Sequence, residues 1–545
     1  MSEPDVLVRH LGGEAAHRAF FGGTAARTRN LLLAVCIAAG LIATPLAGWL
    51  GIAVPAVAAA AVLLATTRTH RGSLLERHRA RARWRSRQRT GTDRYEPFDP
   101  AQWDQLQSTL EHARRRDRPA ARLAITAMRG NPDGADGMGW LQYGAGEPGI
   151  GWHHPVGEDP YLSVAFTVSG QLRGIEAASV LRRAAEGWGS FLAARASASS
   201  LIGGVQTLTR VLPPDTARQQ AWVAAHVDPN ASIAEQQSYA EVIARTSDAA
   251  MVQRHFIVVV WPLTADFAAA ARRYGTGRDG WRALMAAEID ATLRGLAEAR
   301  VGHVGPLTAR QTVALMLHQQ DPTRPLDAAR RVDPLQAGIA SHDEFSAHVV
   351  PTSDAHGRPG QWWHRTAAIH AETMAAAPRS QLWVLDLLLG GGLDFPRSVS
   401  FHLRLVPAVE AKVAARRDVV RDLSDRVDEQ RHGRLADDTT AVAMTAAQRR
   451  RADLAAGSHH HGVEWVGYVT ISALSRDALA VASRQLAEVC TTGLGIERLE
   501  WLDTYQSAAS GTTWPIGRGL RASTPSFGSR IYRGIAGHSD QEAIA

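Results

Sequence analysis

The chain has 545 residues, 45% of them apolar, and a formal net charge of +7, which leaves room for an anchor and two or three domains with ordinary cores. Its one lysine is Lys412, in VEAKVAA. A GxxxxGK[ST] phosphate loop, whose lysine reaches the terminal phosphates, is therefore excluded, and a P-loop ATPase with it. The two cysteines, Cys36 and Cys490, lie in separate segments and suit a reducing compartment rather than a disulfide.

Residues 1–30 read as a cytoplasmic tail, with Phe20 and Phe21 beside paired glycines as a membrane-surface or partner contact. A cleaved secretory signal would bring its apolar region close to Met1, not after Glu3, Asp5 and Glu14. Residues 31–67 carry no charged side chain. One helix of that length would reach roughly 55 Å against a hydrocarbon core of ~30 Å, so the expectation is two spans broken at Pro45, Gly48 and Gly51, with Trp49 in the turn. Arg27 and Arg29 precede this stretch. Arg68, Arg71, Arg77, Arg79, Arg81, Arg83, Arg85, Arg87 and Arg89 follow it, against Glu76 alone. Arginine is retained on the cytoplasmic side, which predicts a multi-pass protein of the cell (inner) membrane with both termini cytoplasmic. The same run accounts for much of the net charge as a topology signal and an anionic-lipid contact, leaving nucleic acid as an indirect partner.

Residues 68–155 read as a basic juxtamembrane segment and linker: a basic helix over Leu74 to Gln88, a short helix over Gln102 to Arg116 with Trp103, Leu106 and Leu110 on one stripe, and a loop over Gly130 to Pro155. Residues 156–320 form a first α+β module. Its strands are Tyr161 to Gly170, Leu201 to Leu212 and Arg254 to Thr264. Its helices are Gly174 to Ala196, Thr216 to Ala225, Ala231 to Thr246, Ala265 to Arg273, Gly280 to Ala299 and Leu307 to His318. Residues 321–360, with five prolines, read as a connection, and residues 361–510 as a second module of similar arrangement. That module has strands at Trp362 to Met374 and Ser398 to Ala408, a short helix in SQLWVLDLLL, and a long charged helical stretch over Glu410 to Arg451. GVEWVGYVTISA, a helix over Ser475 to Cys490 and Ile496 to Ala509 close it. Residues 511–545 read as a flexible tail.

No constellation commits to catalysis, to a cofactor or to a metal. His459, His460 and His461 are adjacent and diverge on an extended loop, so they cannot converge on one zinc. His364, His370 and Glu372 share strand parity. The first and last lie ~26 Å apart at strand rise, so they read as a polar face packed on a neighbouring helix rather than an acid/base site. Gly390, Gly391 and Gly392 follow a helix and read as its C-terminus and a turn, and no GxSxG elbow is present.

The order of segments, with ARQTVALMLHQQDP (Ala309 to Pro322), WWHRTAAIHAETMAAAPR (Trp362 to Arg379), SVSFHLRLVPA, VEWVGYVTISA and IERLEWLDTYQSAASGTTWPIGRGL (Ile496 to Leu520), resembles the membrane-anchored conjugal-transfer proteins of actinobacteria. In that family a piece similar to the two-span subunit of type IV secretion systems is joined to something like the amino-terminal domain of the system's ATPase. The resemblance implies a membrane-anchored α+β fold, with an N-terminal two-helix transmembrane hairpin before two α+β cytoplasmic modules. It also implies a non-enzymatic, homo-oligomeric scaffold that docks a separate secretion ATPase and other transfer-apparatus subunits. A type VII secretion membrane-complex subunit, and a membrane-tethered enzyme using His364, His370 or Glu372, are the alternative readings.

Overall fold

The computed structural model describes residues 9–11, 25–66 and 73–519, apart from 157, 171–175, 198, 214–221, 224, 229, 248–249, 325, 327–330, 354–356, 376, 381, 390–392, 414, 416–447, 449–451 and 455–459. The expected helices at Thr216 to Ala225 and Glu410 to Arg451, and the glycines at 390–392, fall wholly or mostly outside the described residues.

Two helices, Ala25–Ala47 and Leu50–Thr66, fold back on one another around Gly48, whose φ of 58° is a left-handed turn conformation. Gly51 lets the pair meet: a Cβ there would lie 2.5 Å from the carbonyl carbon of Ala43. The expected turn is therefore present, with Trp49 exposed in it. The transmembrane hairpin is not. No helix among the described residues is long and apolar enough to cross a membrane. The first helix spends its opening turns on a segment carrying Arg27 and Arg29, and the second has 17 residues, about 26 Å at 1.5 Å per residue, short of a ~30 Å core. This corrects the membrane-anchored fold class, the transmembrane assignment and the multi-pass cell-membrane localisation. What the structure has instead is an α+β fold built on one large sheet.

The arginine run likewise turns inward in part. Helix Leu74–Thr90 starts at a Ser73/Glu76 capping box and stops at Gly91 in a left-handed conformation. From it, Arg83 lies over the ring of Tyr505 at 5.0 Å and Arg87 enters the protein body.

The strands, in chain order, are β1 (Arg9–Leu11), β2 (Arg94–Pro97), β3 (Met128–Arg129), β4 (Met138–Gln142), β5 (Ile150–His153), β6 (Tyr161–Val168), β7 (Gly204–Leu212), β8 (Val252–Pro262), β9 (Val304–Pro306), β10 (Ser341–Glu344), β11 (Ala347–Ser353), β12 (Pro359–His370), β13 (Ala377–Arg379), β14 (Arg397–Val406), β15 (Gly462–Ala473) and β16 (Glu500–Trp501). Fourteen of them form one sheet: twelve follow the path β3-β2-β10-β11-β12-β15-β14-β7-β8-β6-β5-β4, β9 adds to β6 and β16 to β12, while β1 pairs with β13. The stretch read as a loop at Gly130 to Pro155 holds the β4/β5 hairpin, and the connection at 321–360 holds the β10/β11 hairpin. Their glycines, prolines and tryptophans mask the alternation that marks a strand.

The order β6-β8-β7-β14-β15-β12 sets the first, third and second strands of one module beside the second, third and first strands of the other. The two modules are thus arranged about an approximate two-fold axis between β7 and β14, which pair antiparallel from Gly204↔Arg404 to Val211↔Arg397. One face of the sheet is apolar. In the first half, Val164, Phe166, Val259 and Trp261 pack on Phe267, Met285 and Leu296 of helices Ala265–Arg272 and Gly277–Glu298. In the second, Ile369, Val399, Val469 and Ile471 pack on Leu479, Leu486 and Cys490 of helix Arg476–Thr492. Burial raises the Cys490 thiol to about 12, so it acts as a small apolar side chain.

Candidate functional site

The opposite face is equally buried: over β6 and β8 it is apolar, with Ala165, Phe256 and Val258 joining Leu208 against Leu307 and Leu315, and from β7 to β11 it is largely polar. Because side chains alternate along a strand, Gln206 and Arg210 of β7, Ser398, Ser400 and His402 of β14, Thr470 and Ser472 of β15, His364 and Thr366 of β12 and His348 of β11 all point to this side. Two segments cover them. One is helix Ala309–Gln320, started by a Thr308/Gln311 capping box. The other is the chain from Thr504 to Gly517, which includes the short helix Gln506–Ser510. Residues 511–519, expected at the start of a flexible tail, are therefore part of the folded body. Their Ser, Thr and backbone groups are the partners the sheet face requires.

The resulting seam is densely bonded. Gln206 donates to Ser400 Oγ (2.9 Å) and to the Trp514 carbonyl (2.9 Å), and its Oε1 accepts from Gly517 N (2.8 Å). Gln506 Oε1 accepts from Thr366 N at 2.7 Å, and the Thr366, Thr470 and Thr513 hydroxyls run in series at 2.9 and 2.8 Å. His402 donates through Nε2 to the Thr512 carbonyl (2.7 Å). His364 donates through Nε2 to the Gln320 carbonyl and accepts at Nδ1 from Ser472, both at 2.8 Å.

Burial sets the charge of this seam. It lowers His364 to about 3, helped by neighbouring His348 and Arg210, and lowers His318 to about 3, again with Arg210 contributing. His402 falls to about 4, and on β5 His153, bonded to Ser163 and stacked on Tyr161, falls to about 3. These imidazoles are neutral hydrogen-bonding groups at neutral pH.

At one end lies a fully buried carboxylate, Asp343. It accepts from His348 Nδ1 (3.0 Å), Ser507 N (2.9 Å), Ser507 Oγ (2.8 Å) and Arg87 Nη1 (2.6 Å). Burial pushes its carboxyl up, but His348, Arg87 and Ser507 together hold it below the ordinary carboxylate range. Arg87 also reaches the carbonyls of Thr504 and Thr92, both at 2.6 Å, and Asp133 at 3.1 Å. Serine, aspartate and histidine meet here, but with the aspartate in the middle. A nucleophilic triad needs the imidazole between the other two to take the serine proton, so this set is a structural tie rather than an acyl-transfer site.

The residues singled out from the sequence are not gathered. His364 is buried in the seam. His370, at the far end of β12, pairs with Glu500 at 3.2 Å. Glu372 falls in the turn Ala371–Thr373 after the strand, and its side chain lies outside the described residues. His460 bonds the Asp453 carbonyl and His461 accepts from Ala408 N, while His459 is outside the described residues. Among the described residues no group of three His, Cys, Asp or Glu could hold a metal ion.

The seam itself left a signal that sequence reasoning did not use: SVSFHL and YVTIS both alternate polar with apolar. Such alternation ordinarily marks a solvated face, and the cover is supplied from a glycine-rich segment distant in sequence.

That cover crosses the sheet at glycine contacts. A Cβ on Gly511 would lie 2.5 Å from the Gly134 Cα, a backbone contact with no flexible atom to yield. Gly511→Ala is expected to destabilise the protein by roughly 1–3 kcal/mol, as overpacking does, measured by urea denaturation.

Two cavities adjoin the seam. One, of about 10 Å³, is enclosed between Arg210, Ser398, Thr470, Ser472 and Thr513. The other, of about 350 Å³, opens at the ends of β7 and β14 beside Gln206, His402 and Arg518. In that groove Arg404 is paired with Glu464 at 2.6 Å and Arg518 with Asp136. Compared with known proteins, the chain matches no family model and no curated relative.

Proposed function

We propose that this chain is a non-enzymatic structural component of a conjugation or type IV secretion-like apparatus. It docks a separate ATPase and other subunits of that apparatus, as one of several copies, and reaches nucleic acid only through them. The observation that supports this best is the use made of the chemistry-bearing side chains. His364, His402, Ser472, Asp343, Ser507 and Arg87 are bonded to one another or to backbone, tying two half-sheets and a cover segment into one body. The enclosed cavity among them has the volume of about one water, too small for a substrate. A protein without a phosphate-loop lysine and with its polar groups spent on rigidity suits bracing a motor rather than being one.

The reading is tested with the purified full chain and two variants. It predicts no ATP turnover above a buffer blank. It also predicts that His370→Ala, at the far end of β12, and Glu372→Ala, in the turn after it, retain wild-type conjugal transfer in the native host. ATP hydrolysis by the chain, or loss of transfer with normal protein levels in either variant, would overturn it.

A further inference from the structure

Among the described residues, the seam contains a buried cation with no carboxylate paired to it. Arg210, at the centre of the sheet on β7, is 2% exposed. Its Nε donates to Ser398 Oγ at 3.4 Å, while Nη1 is buried with no hydrogen-bond partner. The charged group felt at Arg210 is another cation, Arg254. The two buried acids on this side are already engaged, Asp343 by Arg87, His348 and Ser507 and Asp321 by Thr323, Thr352 and Arg324. Burial lowers Arg210 to about 9, which still leaves it protonated at neutral pH. An isolated buried charge is strongly unfavourable, and proteins meet it with an opposite charge.

Arg210 lines the 10 Å³ cavity together with Ser398. Ser398 Oγ already accepts from Arg210 Nε and from Gln319 Nε2 (3.2 Å), so both acceptor positions are taken and its proton is free to donate. Arg210 and Ser398 thus each bring an unclaimed donor to the lining of one enclosed cavity. Gln319 Oε1, also unpartnered, is neutral and supplies no charge. A volume of about 10 Å³ holds one water or one monatomic ion and excludes phosphate, sulfate or a carboxylate ligand.

We infer that the cavity between Arg210 and Ser398 binds a single halide-sized anion, chloride under ordinary conditions, which neutralises Arg210 and fastens β7 to β14 at the junction of the two half-sheets.

The experiment uses the full chain in sodium chloride and in sodium gluconate at equal ionic strength and pH 7.5. Binding to the folded state alone should raise the midpoint of thermal unfolding in chloride, saturably, by about 2 °C or more. Bromide should replace chloride, giving an anomalous-scattering peak beside the Arg210 guanidinium in crystals grown from it. Arg210→Met should abolish the chloride dependence. Superposable melting curves in the two salts, or a water in place of the bromide peak, would overturn the inference. The wild-type bromide peak decides the matter even if Arg210→Met does not fold.

Discussion

Acidification from pH 7 to pH 5 is expected to remove about 8 kcal/mol of folding stability, enough to unfold a protein whose total is of order 5–15 kcal/mol. The source is the set of buried neutral imidazoles: His153, His318 and His364, each lowered to about 3, and His402, lowered to about 4. In the unfolded chain each titrates near ~6.5. A group whose folded value is depressed contributes stability that is fully present above the unfolded value and is lost as the pH falls toward the folded one. Below pH 6.5 the unfolded state takes up protons that these folded sites refuse. At pH 5 that difference is about 2 kcal/mol per histidine, and it depends on the folded values lying below 5 rather than on how far below. Urea denaturation at a series of pH values should show stability falling by about 5 kcal/mol per pH unit at the acid end, the slope of roughly four protons. His364→Gln, which can still hydrogen-bond, should lower the slope by one proton. A flat profile between pH 7 and 5 would mean that these histidines are not buried as described.

The second large effect is expected at Asp343. Asp343→Ala removes the acceptor for His348, Ser507 and Arg87 at a fully buried point and should cost about 3–5 kcal/mol, as breaking a buried ion pair by deleting one partner does. The loss should spread in a defined direction. Arg87 is the tie between helix Leu74–Thr90 and the Thr504 carbonyl, so amide exchange should accelerate in that helix and in residues 504–510 before the apolar face opens. Asp343→Leu combined with Arg87→Met should cost less than the two changes added together, because neither charge is then left alone. Equal, additive losses would show that the two groups act independently.

The local elements were largely legible in the sequence. The strand at Tyr161, the alternation of SVSFHL and the helices at Ala265, Gly280 and Ser475 follow from periodicity and capping residues alone. Joining the halves was not. The β7/β14 pairing links residues about two hundred positions apart and leaves no local mark in either strand. Arg87 was indistinguishable from its neighbours in an arginine run, and only the fold shows that one of them meets Asp343. Gly511 to Gly517 reads as the start of a tail because glycine, serine and threonine are loop formers. Here they are small enough to lie close on the sheet and polar enough to bond it. In the uncharged stretch at 31–67 the turn at Gly48 was legible, and what misled was taking each half for a span, since neither described helix is long and apolar enough to cross a membrane.

The proposal that this chain braces a motor it does not contain is tested most directly by affinity purification of the full chain from its native host, with the retained proteins identified by mass spectrometry. The account predicts a separate P-loop ATPase among them, retained in proportion to the chain and lost when Asp343→Ala loosens the seam. Recovery of the intact chain with no such ATPase would contradict it.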